Sequence, residues 1–252
     1  MGRRTIVKGG AWAVPVVSMA ASLPSVPLSG PCLPFDLGLV WTGAGYVRYS
    51  NTSASYVAPF QNPVTGQNDQ ITVTMSATFF GNMESGPEGI GTDRNLRLTT
   101  FNVGGTGAPG ITMHQHLSNR STSMRNNRQE LTFTFDKPVY ELKFGITDID
   151  SARGDFWDHV ELTSPSAWTY TNGSTITGAG VLGNAWRNPD DDDPVDNTTG
   201  IGNANITFTD PVTTFTIVYW DNRSSTGLGI DNDQNIFITN LDFKVSGCDW
   251  NP

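Results

Sequence analysis

Four aspartates surround one short loop of the sequence. The segment "FGITDIDSARGDFWDHVEL" at 144–162 contains Asp148, Asp150, Asp155 and Asp158. Asp148 and Asp150 are two residues apart in an expected strand, so their side chains point to the same face. Carboxylate oxygens at bendable loop positions are ligands that Ca²⁺ prefers, and clustered like charges are costly without a cation or full solvation. We therefore expect a Ca²⁺ site here. The alternative is that Asp148 and Asp150 accept hydrogen bonds from backbone amides of a turn.

A second set of oxygen ligands occurs later, in "GIDNDQN" at 229–235. Asp231 and Asp233 follow a D-x-D-x-N pattern, but Ile236 stands where an EF-hand loop needs glycine. The EF-hand is therefore excluded, and a Ca²⁺-binding loop at the rim of a β-sandwich is the expectation that remains. The run of four aspartates at 190–193 is typical of a solvated loop.

Two tryptophans are candidates for binding a ligand. Trp157 and Trp186 are each flanked by polar residues, and a flat indole ring at a loop can stack on the face of a sugar. The alternative is that both rings fill the core or cover the ends of a sandwich, as large aromatic side chains usually do. The sequence predicts Trp157 and Trp186 as the carbohydrate-binding residues.

Other chemistries are supported less well. His114 and His116 share one face of an expected strand and could join a carboxylate around a metal, but two histidines on a solvent-facing strand edge explain the pattern better. The tripeptide Arg153-Gly154-Asp155 matches an adhesion motif, but three-residue matches are common by chance. No nucleophile elbow or phosphate-binding loop stands out, while a two-carboxylate glycosidase stays open. We expect a protein that is not an enzyme.

The elements that must position these residues are strands. After residue 30, apolar and polar residues alternate with period two between Gly, Pro, Asn and Asp, as in "QITVTMSATFF" at 70–80 and "NLRLTTFNV" at 95–103. The segment 130–148 is expected to form two strands about a turn at Lys137-Pro138. About ten such strands predict an all-β, two-sheet antiparallel β-sandwich that is jelly-roll-like.

Two segments of the sequence repeat one pattern. "LTFTFDKPVYELKFGITDID" at 131–150 and "ITFTDPVTTFTIVYWDN" at 206–222 each combine a Thr/Phe strand, an Asp and Pro at a turn, and a second strand ending in carboxylates. We expect equivalent hairpins that place their terminal aspartates at the same rim. Between them, 184–203 is a long, acidic, turn-rich loop.

The first thirty residues have the layout of an export signal. Arg3, Arg4 and Lys8 precede an apolar stretch at 11–21 that contains no acid, and the paired arginines fit the twin-arginine subtype. The stretch is too short to span a membrane and contains Pro15. The sequence thus predicts a signal peptide at 1–30 and one domain at 31–252, without an integral membrane segment in the mature chain.

Charge and cysteine content fit an extracellular protein. Of the 15 basic residues three lie in the leader, which leaves 12 against 24 acidic residues in the mature chain. Nucleic acid favours basic surfaces and is therefore excluded as a partner. Cys32 and Cys248 are the two cysteines of the chain, and an even pair in an exported protein predicts a disulfide that joins the two ends of the domain.

The leader "GRRTIVKGGAWAVPVV" resembles those of secreted actinobacterial proteins. The pattern "FDKPVYELKFGITDID…WDHVEL…ITFTDPVTTFTIVYWDN…ITNLDFKVSGC" is similar to β-sandwich domains of their uncharacterised surface proteins. This resemblance covers the leader and about the C-terminal half of the chain, and it implies fold and location rather than an activity.

These observations together predict a secreted, non-catalytic binding or adhesion module at the cell surface. Ca²⁺ is the expected cofactor, and an extracellular glycan or another cell-surface component is the expected partner. One alternative is a structural subunit that assembles with itself into a surface layer or fibre. Another is an enzyme that acts on polysaccharide.

Overall fold

The computed structural model describes four stretches of one compact unit that begins at Cys32, namely residues 34–85, 94–117, 124–223 and 234–247. The leader, the disulfide and the second Ca²⁺ loop all lie outside these described residues. Their predicted positions are 1–30, Cys32, Cys248, Asp231 and Asp233.

The described part of the chain forms fourteen strands and no helix, which confirms the all-β prediction. The strands are β1 (Pro34–Leu39), β2 (Tyr46–Arg48), β3 (Ser53–Gln61), β4 (Asn68–Phe80), β5 (Met83–Glu84), β6 (Ile111–Leu117), β7 (Arg128–Thr147), β8 (Ser151–Ala152), β9 (Phe156–Thr163), β10 (Trp168–Asn172), β11 (Ala204–Phe208), β12 (Val212–Asp221), β13 (Gln234–Ile238) and β14 (Leu241–Ser246).

The strands pair in two antiparallel groups. The first sheet has the order β2-β3-β4-β7-β12-β9-β8. In the second sheet, the C-terminal half of β7 pairs with β11 on one side and with β13 and β14 on the other. The outer strands of the second sheet are β10 beside β11, β1 beside β14, and β6 beside β13.

The long strand β7 belongs to both sheets. It pairs with β12 as far as Val139, and from Tyr140 onward its partners lie in the second sheet. The predicted turn at Lys137-Pro138 is therefore wrong, because both residues lie within this strand. Pro138 has no N–H to donate to a sheet, and it falls where the ladder with β12 is irregular and the strand leaves the first sheet. Glu141, with a φ of 50°, marks the bend.

The apolar residues that alternate along the strands form the core between the two sheets. Leu131, Phe133 and Phe135 of β7 point to one face and are buried. The two sheets meet through aromatic rings, since Phe135 lies 5.8 Å from Phe243 and Phe144 lies 4.9 Å from Phe215, measured between ring centroids. The faces of the two sheets therefore pack on each other, which confirms the predicted antiparallel β-sandwich.

One expected strand does not form. The segment 95–103 contains one isolated bridge, between Leu98 and Ile111, and otherwise joins its neighbours through loop hydrogen bonds such as that from the Leu96 N–H to the Thr112 carbonyl at 2.8 Å. Leu96 has a φ of 61° and is fully buried, so its side chain reaches the core from a turn. Apolar alternation alone could not distinguish this arrangement from a strand.

Candidate functional site

The carboxylates of the predicted Ca²⁺ loop lie where β7, β8 and β9 meet. Asp150 follows β7 and precedes β8, and β8 folds back on β9 so that Ser151 faces Trp157. The Asp158 N–H donates to the Asp150 carbonyl at 3.0 Å, and the Asp150 N–H donates to Asp158 Oδ2 at 3.4 Å. In the ladder between β9 and β12, Asp158 stands opposite Asp221. The two segments with the repeated pattern thus end at the same end of the sandwich.

Asp158 is the most enclosed member of the cluster. It is 1% exposed, and its Oδ1 accepts a hydrogen bond of 2.6 Å from the Tyr219 hydroxyl. Burial, and then the neighbouring Asp150 carboxylate, raise the pKa of Asp158 well above its ordinary value, although the bond from Tyr219 opposes the shift. A negative charge at this position is therefore unfavourable unless another group neutralises it.

Asp148 and Asp150 share this environment. Asp148 has a φ of 68°, and its Oδ1 is buried without a hydrogen-bond partner. Burial, followed by the charges of Asp150 and Asp196, raises the pKa of Asp148 well above its usual range. Asp150 Oδ2 accepts a bond of 2.7 Å from the Val195 N–H, yet burial raises the pKa of Asp150 to about 7. In the described part of the chain, no lysine or arginine forms an ion pair with either side chain, or with Asp158.

The acidic segment 188–196 packs directly on this loop. Ser151 Oγ donates to the Asp190 carbonyl at 2.6 Å, and Arg153 pairs with Asp191 at 3.3 Å and with Asp192 at 3.6 Å. The run itself lies at the surface, as expected for a solvated loop, and the side chains of Asp191 and Asp192 are 54% and 47% exposed. The run carries its negative charge to the edge of the buried cluster.

The sequence did not reveal the groups that complete the cluster. Tyr219 and the Val195 N–H contact aspartates 61 and 45 positions away in the chain, and Asp196 adds a carboxylate at the edge. The one signal available was the carboxylate-ended segment 206–222, which contains Tyr219. Loop positions such as 195 carry no pattern that shows which strand end they meet.

Asp155 takes a different position from the other three aspartates. It is half-buried in the turn between β8 and β9, and its N–H donates to the Ala152 carbonyl at 3.0 Å. Its carboxyl is not among the charges that raise the pKa values of the buried cluster. Arg153, two residues before it, forms solvent-exposed ion pairs with Asp191 and Asp192, so the arginine of the adhesion tripeptide faces the acidic segment.

The donor set suits a hard cation, although the side chains are not arranged around one point. Within the four described stretches, no three His, Cys, Asp or Glu side chains form a ready metal-binding group. The cluster does supply carboxylate oxygens and one orphaned, buried Oδ1 at Asp148, which are ligands of the kind that Ca²⁺ takes. Protons are the alternative means of neutralising these acids.

Trp157 is held beside the cluster. Its indole N–H donates to the Asn188 carbonyl at 2.8 Å, and its backbone N–H donates to Asp221 Oδ1 at 3.0 Å. The half-buried ring borders an open cleft of about 500 Å³, whose other lining residues are Pro189, Asp190 and Asp191. Trp157 is thus a fixed aromatic wall next to carboxylates.

Trp186 is a core residue, and its prediction as a displayed ligand-binding ring is wrong. It has no exposed surface, and its backbone pairs with Val160. Its ring lies 5.5 Å from that of Trp168 and 5.6 Å from that of Tyr170, measured between centroids. Burial of so large an apolar surface outweighs the polar residues that flank it.

The histidine pair is divided between two environments. His114 is 1% exposed, and its Nδ1 lies 2.8 Å from Asn235 Oδ1. His116 is half-buried on the same strand. The expectation of two solvent-facing histidines is therefore wrong for His114.

In comparisons with known proteins, neither a family model nor a curated protein nor a solved structure matches this chain. Among the described residues, no helix is long and apolar enough to cross a membrane. The site is therefore interpreted from its own geometry and chemistry.

Proposed function

We propose that this chain is a secreted, non-catalytic binding module of a cell surface, stabilised by Ca²⁺, whose ligand is carbohydrate. The observation that carries the proposal is a cluster at one end of the sandwich in which Asp150 and Asp158 are buried and Asp148 is half-buried, with raised pKa values and without an ion pair among the described residues. Buried charges of one sign are expensive, and a divalent cation offsets that cost.

The chain supplies the ligands for such a cation. Asp148 Oδ1 lacks a partner, while Asp150 and Asp158 each present two oxygens with few competing donors. Ca²⁺ accepts carboxylate and carbonyl oxygens in flexible geometry, so small movements of these side chains are enough to form a site. Asp196 lies at the edge of the cluster and adds negative charge there.

The cation also accounts for the position of Trp157. This residue directly precedes Asp158, stands opposite Ser151 in the sheet, and is bonded to the acidic segment through Asn188. Neutralising the carboxylates therefore fixes both walls of the Trp157 cleft. A flat ring beside the Asp190 and Asp191 carboxylates offers a stacking surface together with acceptors for sugar hydroxyls.

The strand register supports an exported, oxidised protein. In the pairing of β1 with β14, Pro34 stands opposite Ser246. Cys32 precedes Pro34 by two positions, and Cys248 follows Ser246 by two positions. This register is compatible with the predicted disulfide, whose two cysteines lie outside the described residues. The disulfide, the leader and the likeness to actinobacterial surface proteins stay predictions.

A glycan array probed with the full mature chain tests the ligand class. We expect binding in Ca²⁺, weaker binding in chelator, and loss of binding in Trp157→Ala. Tyr49→Ala is the matched control, because Tyr49 is an aromatic residue that is 65% exposed. Binding that is equal in both variants would remove Trp157 from the site.

Two other outcomes would replace the proposal. Concentration-dependent polymers without a glycan response would favour a structural surface subunit. Release of sugar from a polysaccharide panel would favour an enzyme.

A further inference from the structure

We propose that a second saccharide-binding surface lies between β10 and the segment 179–181, built on Trp168 and Tyr170. The inference deepens the proposed function and rests on it for the class of ligand. It concerns residues that neither the Ca²⁺ cluster nor the Trp157 cleft uses.

The aromatic rings of this surface are held rigidly. Tyr170 is 40% exposed and Trp168 is half-buried, and their ring centroids are 6.0 Å apart. The Trp168 and Tyr170 rings both pack on the buried Trp186, with ring centroids 5.5 Å and 5.6 Å from its own. The buried Trp186 ring therefore supports the Trp168 and Tyr170 rings from below. Side chains fixed before binding lose little conformational entropy when a ligand arrives.

The topology explains why these aromatics stay partly open. Trp168 and Tyr170 stand opposite Phe208 and Ile206, both buried, so all four side chains face the interior. Among the described strands, β10 pairs with β11 alone, so its inward face emerges at the margin of the second sheet.

The segment around Trp186 closes this margin from the other sheet. The Leu162 N–H of β9 donates to the Gly180 carbonyl at 2.7 Å, and Val160 of β9 bridges to Trp186. The result is a cleft of about 490 Å³ at the side of the sandwich, bordered by Ala179 and Val181.

Polar groups suited to sugar hydroxyls surround the rings. Neither the Trp168 indole N–H nor the Tyr170 hydroxyl has a hydrogen-bond partner among the described residues. Asp210 uses one carboxylate oxygen to accept from the Ala167 N–H at 3.3 Å, which leaves its second oxygen as an acceptor in the cleft. Aromatic faces with a donor and an acceptor at their edges match a pyranose, which has apolar C–H faces and a rim of hydroxyls.

The size of the cleft favours a saccharide over a protein partner. Nine residues line it, including the polar Ser164, Ser166 and Asp210. A stable protein–protein interface uses about 20–30 residues on each side. A volume of about 490 Å³ instead falls within the range of small-ligand sites.

Titration of the full mature chain with soluble oligosaccharides of glucose, mannose, galactose and N-acetylglucosamine tests this inference. We expect Tyr170→Ala to weaken binding by about tenfold through loss of the ring contact. Tyr170→Phe keeps the ring and should weaken binding by only a few-fold through loss of the hydroxyl. Tyr49→Ala is again the exposed aromatic control, and a thermal melt of each variant checks folding.

The outcomes separate this surface from the proposed function as a whole. Weaker binding in Tyr170→Ala with an intact melt supports the second surface, whether or not Trp157→Ala also weakens binding. Loss in Trp157→Ala with unchanged affinity in Tyr170→Ala overturns this inference and leaves the proposed function in place. A dimer that Tyr170→Ala disrupts also overturns it, in favour of self-association. If no oligosaccharide binds the wild-type chain at all, both proposals fall.

Discussion

Removal of Ca²⁺ at neutral pH should lower the melting temperature of this protein. A ligand that binds the folded state alone stabilises it by about 2.7 kcal/mol at a hundred times its dissociation constant. For a domain of this length, each kcal/mol moves the melting temperature by about 2–4 °C. A chelator should therefore lower it by about 5–11 °C.

The pH dependence distinguishes a cation from protons. Burial raises the pKa of Asp150 from 3.8 to about 7 and also raises those of Asp148 and Asp158. Without Ca²⁺, the folded protein binds more protons than the unfolded chain at pH values between the ordinary pKa and the raised pKa of these carboxyls. The stabilisation is therefore fully present below the ordinary pKa and is lost as the pH rises through the raised pKa. Asp150 alone accounts for a loss on the order of 4 kcal/mol across that window.

The assay is a set of thermal melts in Ca²⁺ and in chelator, at about pH 5 and about pH 7.5. In chelator the protein should melt at the higher temperature near pH 5. Added Ca²⁺ should remove most of the loss near pH 7.5, where the carboxylates can ionise. Asp158→Asn should abolish the response to Ca²⁺, whereas Asp36→Asn, which removes an exposed carboxylate on β1, should leave it unchanged. Identical melts in Ca²⁺ and chelator at both pH values would refute the cation.

Three further predictions concern the rest of the domain. Cys32 and Cys248 should resist a thiol reagent until a reductant is added, and reduction should destabilise the domain by up to about 4–5 kcal/mol; free thiols in the native, oxidised preparation would contradict the bond. Phe215→Ala should cost about 3–5 kcal/mol in denaturant unfolding, because its ring is almost fully buried and lies 4.9 Å from that of Phe144 in the other sheet; a loss below about 1 kcal/mol would mean that the sheets do not meet there. Arg153→Ala should change stability by less than about 1 kcal/mol in the same assay, since the side chain is 67% exposed, and a larger loss would show that its ion pairs hold the acidic segment.

The alternation of apolar and polar residues identified the core residues correctly where a strand segment lies in one sheet only. Leu131 and Phe133 follow the period-two pattern and are buried. Pro138 shows the limit of that reasoning, because Asp and Pro in sequence indicate a turn. Whether the chain turns or bends through into the other sheet depends on which strands lie alongside it.

The candidate site could likewise be predicted only in part from the sequence. The spacing of Asp148, Asp150 and Asp158 marked the cluster, because those residues are close in sequence. Its partners come from distant positions, and Trp186 was assigned to the surface because its sequence neighbours are polar. Burial of Trp186 is decided instead by β10, whose aromatic rings cover it.

The docking of the acidic segment bears directly on how this end of the sandwich is neutralised. The segment brings Asp193 towards Asp150 and Asp196 towards Asp148, and this approach of like charges is electrostatically unfavourable. Arg153 offsets little of that cost, because its ion pairs are exposed to solvent. Hydrogen bonds from the Ser151 hydroxyl to the Asp190 carbonyl and from the Val195 N–H to Asp150 Oδ2 hold the segment in place, but they do not remove charge. We propose that a divalent cation balances the negative charge that the buried aspartates and the acidic segment bring to this end of the sandwich, because it carries two positive charges and accepts carboxylate oxygens as ligands. On this proposal, binding of the cation and docking of the acidic segment stabilise each other.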